Sequence, residues 1–114
     1  MSWVDRTLAD MRLFRRRATQ ATGGDARHAT MAHLEEFART RVGVEAYIEP
    51  ATHVTQTTVV LVATTGEWTR RKVPDARAAR QIAQDLAIPV YDVQLTGYPA
   101  RMREWSARQR RATR

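Results

Sequence analysis

Between Val59 and Ala63 the chain runs Val-Val-Leu-Val-Ala with no polar residue between. A strand with one wet face alternates apolar and polar residues, so this run marks a strand covered on both faces. Such a strand needs a layer above it and a layer below it. A chain of 114 residues has room for one domain whose core comes from two packed layers.

The neighbouring segments supply the sheet. Val44, Ala46 and Ile48 alternate with Glu45, Tyr47 and Glu49 until Pro50, a period-two strand. The doubly apolar strand follows over about 55–63. Thr64, Thr65 and Gly66 then form a hairpin turn, and residues 67–73 return antiparallel. Alternation sends Trp68, Arg70 and Lys72 to one face of this third strand and Thr69, Arg71 and Val73 to the other. Residues 90–95 read as a fourth strand.

Helices surround these strands. Trp3, Val4, Leu8, Met11 and Phe14 fit a short amphipathic helix over 2–15, and residues 19–25 read as a linker hinged at Gly23 and Gly24. A second helix is expected over 26–42, with Asp25 as its N-cap, a stripe at Met31, Leu34, Ala38 and Val42, and Gly43 at its end. Pro74 and Asp75 open a third helix that buries Ala79, Ile82, Ala83 and Leu86; Ile88 and Pro89 break it. Gly97 and Pro99 introduce a last helix to about 112. The expected class is α+β in the order α-α-β-β-β-α-β-α, with a mixed four-stranded sheet: a three-strand antiparallel meander plus one strand after a helix. Residues 1–25 form an N-terminal helix and linker, 26–97 the core, and 98–114 a basic C-terminal helix. If the second and third helices cover one face, the first helix, the last helix or a second subunit must cover the other.

Charge is concentrated at the ends. Residues 1–17 hold five Arg against two Asp, residues 98–114 six Arg against Glu104, and the middle seven Arg and Lys72 against nine acids. A near-neutral body with cationic arms suits an anionic surface such as nucleic acid or acidic lipid. Eighteen of the nineteen cations are arginine, which favours bidentate phosphate contacts but also follows from the codon usage of a GC-rich genome. With no cysteine, disulfides, thiolate catalysis and cysteine-ligated zinc are excluded, and a reducing cytoplasm is the expected compartment. No apolar run approaches the length of a membrane span, and Asp5, Asp10 and five arginines interrupt the opening where a signal peptide needs apolar residues.

Enzyme chemistry finds no support. The helix, three strands, helix, strand order resembles restriction-endonuclease-like nucleases, which hold a divalent metal with an acid on the second strand and an acid-x-lysine unit on the third. Residues 50–66 contain no acid, and Glu67 is followed two residues on by Thr69. Glu35 and Glu36 read as a solvated face. Ser2 and Ser106 lie near the termini, where no triad is built around them. His28 and His33 point about 140° apart on a helix, a poor pair of metal ligands, and His53 sits alone. There is no phosphate-binding glycine loop with lysine and no dinucleotide fingerprint. The expectation is no catalytic residue, no metal and no cofactor.

The C-terminal segment carries the positive signal. Met102 and Trp105 share a face with Gln109 and Ala112; Arg101, Arg108 and Arg111 line one neighbouring face, and Arg103 and Arg110 another. On one reading the arginines neutralise phosphates while Trp105 or Tyr98 stacks on a base. On the other, Met102 and Trp105 dock on the sheet and the arginines keep the surface soluble. Arg15, Arg16 and Arg17 repeat the basic pattern at the other end, beside Trp3. Two or three apolar anchors per helix are weak for a membrane surface. Arg70, Arg71 and Lys72 precede a helix start, which favours anions, but they also suit a charged edge strand that resists aggregation. The helix, three strands, helix part resembles double-stranded-RNA-binding domains, although their Lys-Lys-x-Ala-x-Lys helix start is missing.

Val-Glu-Ala-Tyr-Ile-Glu-Pro at 44–50, Thr-Thr-Val-Val-Leu-Val-Ala-Thr-Thr-Gly-Glu-Trp-Thr-Arg-Arg at 57–71, Ile-Pro-Val-Tyr-Asp at 88–92 and Gly-Tyr-Pro-Ala-Arg-Met-Arg-Glu-Trp at 97–105 together resemble a family of short uncharacterised proteins from high-GC Gram-positive bacteria. The likeness covers about 28–105. It implies a bacterial cytoplasmic protein and transfers no catalytic residue.

The expected function is therefore a non-enzymatic binding protein whose cationic termini engage RNA, DNA or a ribonucleoprotein surface. The alternative is a protein-protein adaptor or homodimer whose arms cover the sheet. Buried aromatics with ordered arms favour the adaptor; exposed arginines on detached arms favour nucleic acid. The residues assigned to nucleic-acid binding are Arg101, Arg103, Trp105, Arg108, Arg110, Arg111, Arg15, Arg16, Arg17, Arg70 and Lys72.

Overall fold

The computed structural model describes residues 23–113. Two compact units divide between Thr30 and Met31. The described part of the first is the opening of one helix, so the fold below is that of the second. The expected helix over 2–15, and with it Arg15, Arg16 and Arg17, lies outside the described residues.

The elements are α1 (Gly23–Thr40), β1 (Glu45–Glu49), β2 (Thr58–Val62), β3 (Trp68–Lys72), α2 (Ala76–Asp85), β4 (Val90–Asp92), α3 (Val93–Thr96) and α4 (Ala100–Ala112). The strands form one sheet in the order β3-β2-β1-β4. β1, β2 and β3 make the antiparallel meander, and β4 adds parallel to β1 beyond the far edge. This is the mixed α+β architecture expected from the sequence.

The doubly apolar strand is central, and Val59, Val60, Leu61 and Val62 are all fully buried. Each such side chain contributes about 1.5 to 3 kcal/mol relative to remaining exposed. Val59 and Leu61 face a cluster with Leu34 and Phe37 of α1, Ala79 and Ala83 of α2, and Val44, Ala46 and Ile48. Val60 and Val62 face the other way, toward Tyr47 of β1 and Met102 of α4, with Trp68 against them. Of the three candidates for the second layer, the C-terminal helix therefore supplies a core residue.

Local chemistry shifts several boundaries. The second helix begins by Gly23, which places Asp25 in its first turn rather than at the cap, and it stops at Thr40. Val42 has already left the helix and is 80% exposed; Phe37, outside the expected stripe, takes the core position. Gly43 adopts φ +64°, where an added Cβ would overlap the Thr64 hydroxyl. Asp75 stands just outside α2 as its N-cap, its carboxylate accepting from the Ala78 amide at 2.7 Å. The fourth strand is three residues long rather than six. Asp92 accepts from the Gln94 amide at 2.8 Å and caps the single turn of α3, so side-chain capping ends the strand.

Candidate nucleic-acid interface

The surface that combines cations with an apolar floor lies where α4 crosses the second face of the sheet. α4 begins after Pro99, whose fixed φ suits the entry to a helix, and its position on the sheet is set by three contacts. Met102 enters the core. The Trp68 indole N–H donates to Ser106 Oγ at 2.8 Å. Gly66, at φ +94°, lets the helix backbone approach the β2–β3 turn: an added Cβ would overlap the Arg101 carbonyl oxygen and lie 2.8 Å from Trp105 Cβ.

The docked helix sorts its arginines onto different flanks. Arg101 turns inward, donating from Nε to the Ala63 carbonyl at 3.0 Å and pairing with Glu45. Arg108 donates to the Thr65 carbonyl at 3.2 Å. Trp105 lies half-buried on this same flank, against the turn. On the other flank a groove of about 350 Å³ is lined by Arg70, Tyr98, Met102, Arg103, Ser106 and Arg110. Arg103 gives one hydrogen bond, to the Tyr98 carbonyl at 3.1 Å. Arg110 and Arg111 are exposed, and among the described residues neither side chain meets a carboxylate within ion-pair distance. Lys72 is exposed at the end of β3, away from the groove lining.

Glu49, at the end of β1, organises the wall of this groove. Its Oε1 accepts from Thr58 Oγ1 at 2.6 Å and from Arg70 Nε at 2.6 Å. Its Oε2 accepts from Arg70 Nη2 at 2.8 Å and from the Tyr98 hydroxyl. Partial burial alone would raise the Glu49 carboxyl, but the donors Arg70, Thr58 and Tyr98 outweigh it and hold the group below its ordinary value. The Arg70 guanidinium is raised in turn by its bond to Glu49. The Tyr98 phenol is raised by burial and then by the carboxylate, so it stays a neutral donor. Arg70 also lies 5.0 Å from the centre of the Trp68 ring.

β3 is an edge strand, which fits the aggregation-resisting reading of its cations. Arg71 donates to the Arg70 carbonyl at 2.8 Å. On the α1 side of β3 a second cleft is lined by His33, Glu36, Phe37, Arg41, Glu67, Trp68 and Thr69. Arg41, Glu67 and His33 are already engaged: Arg41 pairs with Glu67 at 2.8 Å, and His33 Nε2 lies 2.6 Å from Thr69 Oγ1. Burial, then the nearby Arg71, pulls the His33 imidazole below its ordinary value. Among the described residues no three or more His, Asp or Glu side chains gather as a metal site. No helix among them is long and apolar enough to cross a membrane.

The structure thus brings Arg70, Arg103 and Arg110 together around one groove. It places Arg101, Trp105 and Arg108 on the opposite flank, with Arg111 and Lys72 outside both. Glu49 and Ser106 were not singled out as site residues from sequence. Strand alternation does put Glu49 on the face of Tyr47, and complementary charges on two strands flanking β2 were the available signal. Comparison with protein-family models, with curated proteins and with solved structures gives no match, so the site stands on its own geometry.

Proposed function

We propose that this chain is a non-enzymatic nucleic-acid-binding protein that engages RNA, DNA or a ribonucleoprotein surface through α4 and the adjoining edge of the sheet. The observation that supports it is the groove: three arginines around a floor of Met102 and Tyr98, with no acidic residue among its lining side chains. Arginine clusters neutralise phosphates, and an apolar or aromatic floor accommodates bases. Arg103 and Arg110 carry the charge most available to a ligand, because Glu49 offsets Arg70 and Glu45 offsets Arg101.

The test is a salt titration of binding. Each phosphate contact adds about 0.7 to the slope of log affinity against log salt on a single strand. Arg103→Ala with Arg110→Ala should flatten that slope by about 1.4 without changing the urea midpoint. An unchanged slope overturns the assignment.

The adaptor or homodimer reading is favoured by a different observation. α4 is docked through Met102 and the Trp68–Ser106 hydrogen bond, so this arm is part of the packed structure rather than detached. Sedimentation over a range of protein concentrations distinguishes the two: a dimer broken by Arg103→Glu with no nucleic-acid affinity supports the adaptor.

A further inference from the structure

We propose that the groove between α4 and β3 takes one unstacked nucleobase of a single strand, on the ring of Tyr98, without reading which base it is. This rests on the nucleic-acid reading above and adds the class of strand and the mode of recognition.

Elimination leaves Tyr98 as the stacking surface. Trp68 has its N–H committed to Ser106 and one ring face beneath Arg70. Trp105 sits on the flank facing Gly66. Tyr98 lines the groove, is 38% exposed, and has its hydroxyl fixed by Glu49. A ring held in place by its own hydrogen bond loses little freedom when a base lands on it, which is the benefit of a preorganised platform. Arg103, which donates to the Tyr98 backbone carbonyl, lines the same groove as the ring, and so does Arg110.

The same geometry argues for a single strand. A duplex offers its phosphates to the solvent but keeps its bases stacked, so it could use the arginines and leave the apolar floor empty. A splayed single strand places a base on Tyr98 and Met102 and its flanking phosphates by Arg103 and Arg110. The volume, about 350 Å³, is that of a small ligand site rather than an extended channel. Glu49 is the carboxylate nearest in chemistry to a base-edge reader, but its two oxygens already accept four hydrogen bonds. A carboxylate has about four acceptor sites, so none is left for a cytosine or adenine amine. Glu49 is a positioning residue for Tyr98 and Arg70.

The test uses the full chain and four probes: oligothymidylate, oligoadenylate, a mixed-sequence duplex of equal length, and an abasic strand carrying the same phosphates. Oligothymidylate and oligoadenylate should bind within about threefold of each other, and both more tightly than the duplex or the abasic strand. Tyr98→Leu should weaken binding to the two base-bearing strands by about 5- to 150-fold, the range of one lost base–aromatic stack, and leave duplex and abasic binding unchanged. Tyr98→Phe should retain most of the affinity. Equal affinity for abasic and base-bearing strands overturns the inference even if Tyr98→Leu fails to fold. Duplex binding as tight as single-strand binding, with dependence on Arg103 and Arg110 retained, overturns it while sparing the broader nucleic-acid reading. No salt-sensitive binding to any probe overturns both.

Discussion

Glu49 accepts from Thr58, Arg70 and Tyr98 only in the folded chain, and this makes one part of the stability pH-dependent. Its folded carboxyl titrates below its ordinary value, so on acidification the unfolded chain takes up the proton first. The stabilisation is complete above the unfolded value of about 4.3 and is lost as pH falls through the lower folded value. The urea midpoint of the wild type should therefore fall more steeply below about pH 4 than that of Glu49→Gln; parallel curves would count against the network. Gly66 gives a prediction of another kind. Alanine there meets both a positive φ and the backbone of α4, and strain with overpacking should cost about 2 to 4 kcal/mol. A loss below about 0.5 kcal/mol in urea unfolding would show that α4 yields freely. The need for glycine was legible in the Thr64-Thr65-Gly66 turn, but the close approach of a helix from thirty-odd residues later was not, because nothing in a local turn signal reports a distant backbone.

α4 has two jobs that its residues divide by position. Met102 is 7% exposed and belongs to the smaller core cluster, so Met102→Ala should cost about 2 to 3 kcal/mol, the low end for a buried methionine. Deleting residues 107–114 leaves Met102, Trp105 and Ser106 in place and removes mainly exposed side chains together with the Arg108–Thr65 hydrogen bond. That deletion should cost about 1 kcal/mol or less and still flatten the salt dependence of binding. A large loss of stability instead would mean that the last turns hold the helix on the sheet. The sequence pattern located this helix, β1, β3 and α2 to within a residue or two, because period and capping agree there, whereas β2 begins at Thr58, three residues later than the expected start. The pattern failed where two local rules competed. Asp92 caps a turn inside what reads as β-branched strand, and the stripe through Val42 followed ideal periodicity past the point at which the chain leaves the helix for Gly43.

For the whole molecule, the uninterrupted run at β2 made two layers compulsory, and alternation on β1 and β3 divided the side chains between them. Which element would cover the second face was not legible, since the first helix, the last helix and a second subunit were all open, and only tertiary packing brings Met102 of α4 onto it. The clustering of Arg70 with Arg103 and Arg110 shares that origin, because β3 and α4 are far apart in sequence. The topology also orders events in time. β1, β2 and β3 pair through short connections, whereas β4 joins β1 only after α2 has been traversed, Ala46 meeting Val90. Closing the longer loop costs more chain entropy, so the meander should be formed in the folding transition state and β4 should zip on afterwards. Val90→Ala is then expected to destabilise by about 1 to 2 kcal/mol almost wholly through faster unfolding, while Leu61→Ala slows refolding as well; stopped-flow chevrons separate the two limbs. A native state whose last-formed strand is three residues long at an open edge will lose that strand first, so hydrogen exchange at Val90–Asp92 should outpace exchange in the meander long before the protein as a whole unfolds.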